Sequence, residues 1–377
     1  MKLAHPPCPM VLFAGFLAIS SGASAAPLDS WTSVSSGTSN RLNAVASGNG
    51  IFVAAGDLGT ILTSANGSTW ISATSAITNS LLALAYGQGQ FVAVGTLGAI
   101  LTSSNGLNWS PQDSGTPNRL NAVASTQLGL VAVGDLGTIL TSADGSNWNV
   151  RTSGTASSLV GVSEGFGKII AAANTTVLVS STNGLDWTTN AGPYFFAGLA
   201  YGNGVMLGIT IRSGFERSVD GVTWNRFFGQ FNNYCYGLTY ARNVFIGVGG
   251  YYDGGGGRTI ATSTNGMTWN IRYTNLGEGR LLSVAYGGHR FVAVGDGGAI
   301  LVSAPLLSIS NPVVVSNGVQ MIIEGDPDGV YRIQRSPSLS APSWDNIGAV
   351  TNFGGSSQFV TPILPEASAS FYRLSSD

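Results

Sequence analysis

Two carboxylates in aromatic and basic surroundings, Glu216 and Asp253, are the side chains of this sequence best suited to chemistry. A carboxyl pair can share the acid and base work of glycoside hydrolysis, and Tyr252 adds a further proton-bearing group beside Asp253. Around them in sequence stand Tyr194, Phe195, Arg212, Phe231, Tyr234, Tyr251 and Arg258. Flat rings beside charged groups suit sugar faces or a partner peptide. The same rings are equally well explained as core filling, which is where aromatic faces are most often found.

A second set is charged and recurrent. Arg41 with Asp57, Arg119 with Asp135, and Arg280 with Asp296 occupy matching positions, and both members vanish together where Ser80 stands with Thr96 and Ser158 with Asn174. Joint loss predicts that each arginine pairs with the aspartate of its own unit. Such ion pairs neutralise charge and fix loops; the sharper alternative is an arginine cluster awaiting a carboxylate or sulfate.

Other chemistries fall away. Beyond residue 25 the chain keeps one lysine (Lys168), one histidine (His289) and one cysteine (Cys235). That rules out a histidine-rich zinc site and an intramolecular disulfide, so no metal and no cofactor is expected. The glycine run 254–257 is not followed by Gly-Lys-Ser/Thr and is no phosphate loop. Charged residues make up only 9% of the chain and the formal net charge is −2, a poor basis for binding nucleic acid.

The elements that must position these residues are announced by tryptophan. Trp31, Trp70, Trp109, Trp148, Trp187, Trp224 and Trp269 recur every 39 residues four times, then after 37 and 45. A step of about 40 residues built of short strands marks a radial or stacked repeat. In the first unit residues 42–47 (LNAVAS), 52–55 (FVAA) and 60–63 (TILT) are strand-like and separated by glycine-bearing turns. Four short strands per unit is the make-up of a propeller blade. Before each tryptophan from Trp70 onward comes a Ser-x-Asn/Asp-Gly turn, with Asn66, Asn105, Asp144, Asn183, Asp220 and Asn265 at the acidic position. Asn-Gly and Asp-Gly tolerate the positive φ that tight hairpins demand, so these residues are expected to be structural.

The run Ser142-Ala143-Asp144-Gly145-Ser146-Asn147-Trp148 and its five relatives resemble the Asp-box, or BNR, repeat of the sialidase superfamily. The phrase formed by residues 91–95 (FVAVG) and 98–103 (GAILTS) is similar to propellers of the photosystem II assembly factor type. The resemblance implies that the box turns lie on the face opposite any active site. The Phe/Tyr-Arg-Ile-Pro motif typical of sialidases is absent.

The seven tryptophans outnumber the boxes by one. A unit beginning at Leu281 ends without a box, and Trp31-Thr32-Ser33-Val34 begins the array as an outer strand without a blade. Joining them predicts an all-β, seven-bladed β-propeller closed by its N-terminal strand, spanning residues 26–304. Lys2, the apolar residues 10–20 and Ala23-Ser24-Ala25 have the layout of a secretory signal peptide over residues 1–25. Residues 305–377 lose the repeat and read as a small antiparallel β-sandwich. Their segments 331–336 (YRIQRS), 343–344 and 371–374 (FYRL) resemble a C-terminal module of secreted proteins from Verrucomicrobia-like bacteria.

These observations lead to a secreted, periplasmic or cell-surface bacterial binding propeller without enzymatic activity, monomeric, and not inserted in a membrane once the signal is cleaved. Its partner would be a glycan or an extracellular surface protein, met through Tyr194, Phe195, Arg212, Glu216, Phe231, Tyr234, Tyr251, Tyr252, Asp253 and Arg258. The alternatives are an Asp-box glycoside hydrolase or lyase using Glu216, Asp253 and Tyr252, and a protein-assembly factor.

Overall fold

The computed structural model describes residues 27–192, 195–210, 214–227, 234–250, 257–275, 279–306, 308–315, 318–324, 330–336, 344–351, 356–362 and 371–376. The expected signal peptide over residues 1–25 lies outside the described residues.

Seven four-stranded antiparallel sheets follow one another as blades. Blade one consists of Leu42–Gly48, Ile51–Gly56, Ile61–Ser64 and Ile71–Ser72, innermost strand first. Blades two to six repeat that order and begin at Leu81–Gly87, Leu120–Thr126, Leu159–Gly165, Phe196–Gly202 and Tyr234–Ala241. Blade seven takes Leu281–Gly287, Arg290–Gly295 and Ile300–Ser303 from the end of the array and Trp31–Val34 from its start. Trp31 stands opposite Ser303 and Val34 opposite Ile300. Innermost strands of successive blades touch all the way round, blade seven against blade one included. The expected closed ring of seven, latched by its first strand, is the observed one.

Period-two alternation explains why such short strands hold together. Leu42, Val45, Phe52, Ala54 and Leu62 of blade one pack against Ala285, Val292, Val294, Ile300 and Val302 of blade seven. The interleaved Val53, Ala55 and Ile61 point the other way, against Leu81, Phe91, Ala93 and Leu101 of blade two. Each second strand is therefore buried on both faces, which is why 52–55 and its repeats read as unbroken apolar runs.

The turns before the tryptophans close by local hydrogen bonds. In blade one Ser64 Oγ accepts the Gly67 N–H at 2.8 Å, and Asn66 Oδ1 accepts those of Ser68 and Thr69 at 2.9 Å. Gly67 has φ +74°, and the Trp70 indole N–H donates to its carbonyl at 2.7 Å. Aspartate does the same in blade five, where the Val222 and Thr223 N–H groups hold the Asp220 carboxyl down at about 2. The rings then lie over the seams between blades, Trp269 stacked on Phe215 with centroids 4.7 Å apart.

On the opposite edge, the turn between second and third strands is a single rigid shape in blades one, two, three and seven. Its middle residue is left-handed: Leu58 φ 55°, Leu97 φ 57°, Leu136 φ 56° and Gly297 φ 65°. The next residue must be glycine, because a Cβ on Gly59 would lie 2.0 Å from the Ile77 carbonyl oxygen of the connection entering blade two. Each turn thus seats against the following blade.

Residues 306–377 belong to a second compact unit. Two three-stranded antiparallel sheets form it, one of Ser308–Val315, Gly318–Glu324 and Ser356–Thr361, the other of Asp345–Thr351, Val330–Ser336 and Phe371–Ser376. Ile323 of the first and Ile333 of the second share a core with Ile347, Val350 and Phe359, as in a small β-sandwich. Among the described residues no helix is long and apolar enough to cross a membrane.

Candidate functional site

Every innermost strand contains a bulge one residue after its start, between Leu42 and Ala44 in blade one and at the matching place in the other six. A bulge re-aims the side chain it carries. In blade one that side chain is Asn43, whose amide donates 2.9 Å to Asp57 Oδ1 and 2.9 Å to the Leu81 carbonyl of blade two. Asn121 of blade three repeats both bonds, to Asp135 Oδ1 at 2.9 Å and the Leu159 carbonyl at 3.0 Å.

This overturns the own-blade ion pairs expected in blades one and three. Arg41 and Asp57 are joined through the backbone, the Asp57 N–H donating to the Arg41 carbonyl, and Arg119 and Asp135 likewise. Their side chains do not meet, because asparagine holds each carboxylate; Arg119 is exposed and makes no ion pair among the described residues.

Blade seven has Leu282 in the bulge, which cannot donate, and there the expected pair forms. Arg280 Nε is 2.7 Å from Asp296 Oδ2, and the Arg280 N–H donates to the same oxygen at 3.0 Å. Arg41 crosses from blade one to the other carboxylate oxygen at 3.4 Å. Burial pushes the Asp296 carboxyl up, but the bonds from Arg280 and the charges of Arg280 and Arg41 outweigh it and hold it below the usual range. Bonding to Asp296 raises Arg280 in turn.

A third guanidinium joins them. Arg258, at the start of its strand in blade six, lies beside Gly279: a Cβ there would be 3.8 Å from Arg258 Nη2 and 3.1 Å from the Asp296 Cβ. Arg258 Nε is buried and has no hydrogen-bond acceptor. Tyr236, the bulge residue of blade six, places its ring 5.3 Å under the Arg280 guanidinium. Its hydroxyl is buried beside the Arg280 guanidinium, and burial pushes the phenol up against the hydrogen bond and charge of Arg280. Among the described residues, Arg280 and Arg41 engage Asp296, and Arg258 stands close by with its Nε buried and without an acceptor.

The same ring of positions continues into aromatics. Phe195 precedes the innermost strand of blade five as Arg41 does that of blade one, and Tyr234 is the first residue of the innermost strand of blade six. The Phe195 ring is 52% exposed, and Tyr234 stacks on Tyr236 with centroids 6.4 Å apart. These two, Arg258 and Glu216 are the expected binding residues that fall among the described ones. Tyr194, Arg212, Phe231, Tyr251, Tyr252 and Asp253 lie outside the described residues.

Glu216 is elsewhere. It sits in the third strand of blade five, opposite Gly208 and Arg226, at the place where Leu62, Leu101 and Leu140 serve blades one, two and three. It is 0% exposed, neither carboxylate oxygen has a hydrogen-bond donor, and Arg226 Nε is 3.8 Å away. The ligand-binding and acid/base roles expected of it need access that this position denies. The strand parity that decides this was already in the sequence, since Glu216 precedes Ser218 by the same two residues as Leu62 precedes Ser64.

Asn43 and Asn121 are the residues the sequence reading missed. Asparagine at this place in two of the three units that hold an aspartate, and leucine in the third, was the available signal. Cys235 is buried, and desolvation pushes its thiol up to about 12, which suits a core filler. Among the described residues no three His, Cys, Asp or Glu side chains converge to hold a metal ion.

No protein-family model and no curated protein matches the sequence. Solved structures do resemble the fold. "YCF48 bound to D1 peptide" is 14% identical with a TM-score of 0.59, over 73% of this chain and 96% of that one. YCF48 from Cyanidioschyzon merolae is 17% identical with a TM-score of 0.57, over 72% and 98%. Virginiamycin B lyase from Staphylococcus aureus is 10% identical with a TM-score of 0.62, over 73% and 98%. At these identities the likeness is one of architecture, and the chain is a seven-bladed β-propeller of the kind these proteins share.

Proposed function

We propose that the chain is an exported, non-enzymatic binding propeller that holds a segment of another protein against the mouth of blades six, seven and one. The observation that carries this reading is that, among the described residues, Arg41 and Arg280 both engage Asp296 while Arg258 Nε close by is buried and without an acceptor. A carboxylate from outside would complete that set, since arginine pairs with carboxylates in a fixed fork geometry. That a YCF48 of similar fold has been solved with a D1 peptide supports a peptide as the kind of partner. Such a role is that of a scaffold or assembly factor.

The test is fluorescence anisotropy of the propeller with a labelled synthetic peptide of alternating glutamate and serine. Saturable binding that weakens with salt and falls tenfold or more in Arg258→Ala supports the reading; no binding at low salt ends it. The exposed Phe195 ring near Tyr234 favours a glycan as the second reading, and retention on a glycan array with no affinity for acidic peptides would establish it instead. Glycoside hydrolysis loses one of its two carboxylate candidates with the burial of Glu216. Export is tested by mapping the N-terminus of the protein recovered from its native host: a start near residue 26 supports it.

A further inference from the structure

Three leucines on the mouth face stand in an unusual position. Leu58, Leu97 and Leu136 are 68%, 75% and 69% exposed. All three have left-handed backbones, which leucine adopts only under strain. Blade seven makes the same turn with Gly297 at φ 65° and ψ 25°, so the fold does not require leucine there. Other exposed leucines, such as Leu107 and Leu185, lie in the box turns and are not among the residues with positive φ. Isolated exposure of that sort needs no explanation. Leucine retained where it is both strained and solvated, on three consecutive blades, does.

The tips are rigid. In blade one the Thr60 hydroxyl donates to the Asp57 carbonyl at 2.7 Å, Asn40 donates to that hydroxyl at 2.8 Å, and Gly59 is seated against blade two. Blade three repeats these bonds through Thr138 and Asn118. A turn held this way loses little backbone freedom on binding. The same arc carries exposed guanidinium groups, Arg41 and Arg119, while the Asp57 and Asp135 carboxylates beside the leucines are each tied back by a hydrogen bond from Asn43 or Asn121. The arc also runs directly into the arginine cluster through Arg41, which contacts Asp296.

We propose that Leu58, Leu97 and Leu136 are docking knobs for a polypeptide segment in which apolar side chains alternate with acidic ones. The acidic groups meet Arg41 and Arg119 and the apolar ones cover the leucines. This rests on the function proposed above and extends its contact surface from blades six, seven and one to blades two and three.

Two labelled synthetic peptides of about a dozen residues, which reach roughly 40 Å when extended, test it. One alternates leucine with glutamate and the other serine with glutamate, both with free carboxyl termini. They are titrated against the full propeller, the triple variant Leu58→Gly, Leu97→Gly, Leu136→Gly, and Arg258→Ala. Glycine is native to this turn in blade seven, so the triple variant should keep or raise the melting temperature. The expected result is a tenfold or larger loss of affinity for the leucine–glutamate peptide in the triple variant, with the serine–glutamate peptide unchanged. Equal binding of the leucine–glutamate peptide by both proteins overturns the knobs and leaves the arginine site standing. Failure of both peptides to bind the native protein ends the two readings together. Two further outcomes also overturn it. One is knob-dependent flotation with phosphatidylcholine/phosphatidylglycerol vesicles and no effect on peptide, which points to a lipid surface. The other is a native dimer that the triple variant abolishes, which points to self-contact.

Discussion

Arg41 of blade one and Asp296 of blade seven meet across the seam where the two ends of the propeller join, Nε to Oδ1 at 3.4 Å. Asp296 can receive Arg41 because nothing in its own bulge claims it: Leu282 stands where Asn43 and Asn121 hold the matching aspartates. One apolar residue in a bulge therefore decides whether an aspartate serves as a strut inside its blade or as the centre of an arginine cluster.

The strut can be tested by Asn43→Ala. Removing the amide leaves the Leu81 carbonyl and Asp57 Oδ1 without their donor, and Asn43 is part-buried between blades one and two. Deleting one partner of a buried hydrogen bond costs about 1–3 kcal/mol. Denaturant unfolding should register a loss of that order, with a similar loss for Asn121→Ala. Stability unchanged in both variants would show that the bulge contacts are incidental.

The arginine cluster makes a claim about acid stability. The Asp296 carboxyl is held below its ordinary value in the folded protein. A depressed folded pKa contributes stability above the unfolded value and loses it as pH falls through the folded one. In Arg280→Gln the main counterweight to burial goes, so the carboxyl should titrate higher, and acid unfolding should begin at higher pH than in the native protein. A carboxyl NMR titration of Asp296 in both proteins checks the direction; no upward movement would remove Arg280 as its cause.

Ring closure gives the largest expected effect. Trp31–Val34 is the whole of the outer strand of blade seven, and Trp31 is buried with its indole N–H bonded to the Leu28 carbonyl at 2.9 Å. Asp29 adds an ion pair to Arg272 of blade six at 2.7 Å. Truncating a buried tryptophan costs about 3–5 kcal/mol. Trp31→Ala should lower the melting temperature markedly, and deletion of residues 29–36 more so, since it bares the Ile300–Ser303 edge. A deletion that melts with the native protein would refute the latch.

The fold was legible in the sequence because it is written many times over. Tryptophan spacing, the Ser-x-Asn/Asp-Gly turns and the apolar second strands all carry the same 39-residue step, so each confirms the others. Counting boxes against tryptophans even placed the closing strand. The site was legible in part. Position within the unit was enough to place Phe195 and Tyr234 at the starts of innermost strands, where Arg41 stands in blade one. Pairing failed because the deciding donor, Asn43, sits in a bulge, and a bulge shifts one side chain out of the alternation from which contacts are inferred. The leucine tips escaped notice because a leucine in a sequence is taken as core, and only the backbone shows it turned outward.

Glu216 separates structure from chemistry most clearly. Burial in the third strand of blade five pushes its carboxyl up, against the pull of Arg226. A carboxyl whose folded pKa is raised favours the folded state at low pH, and that contribution disappears as pH rises from the ordinary carboxylate range through the folded value. The native protein should therefore lose stability as pH rises above the ordinary carboxylate range. Glu216→Leu, which restores the residue type of blades one to three, should abolish that slope. Replacing a buried ion pair by apolar packing is often neutral or stabilising by about 1–4 kcal/mol, and Arg226, 29% exposed, can still reach water. Thermal unfolding of both proteins across the pH range decides the matter. If Glu216→Leu melts lower at neutral pH than the native protein, the charged carboxylate is favourable where it stands, and a ligating role for it would have to be reconsidered.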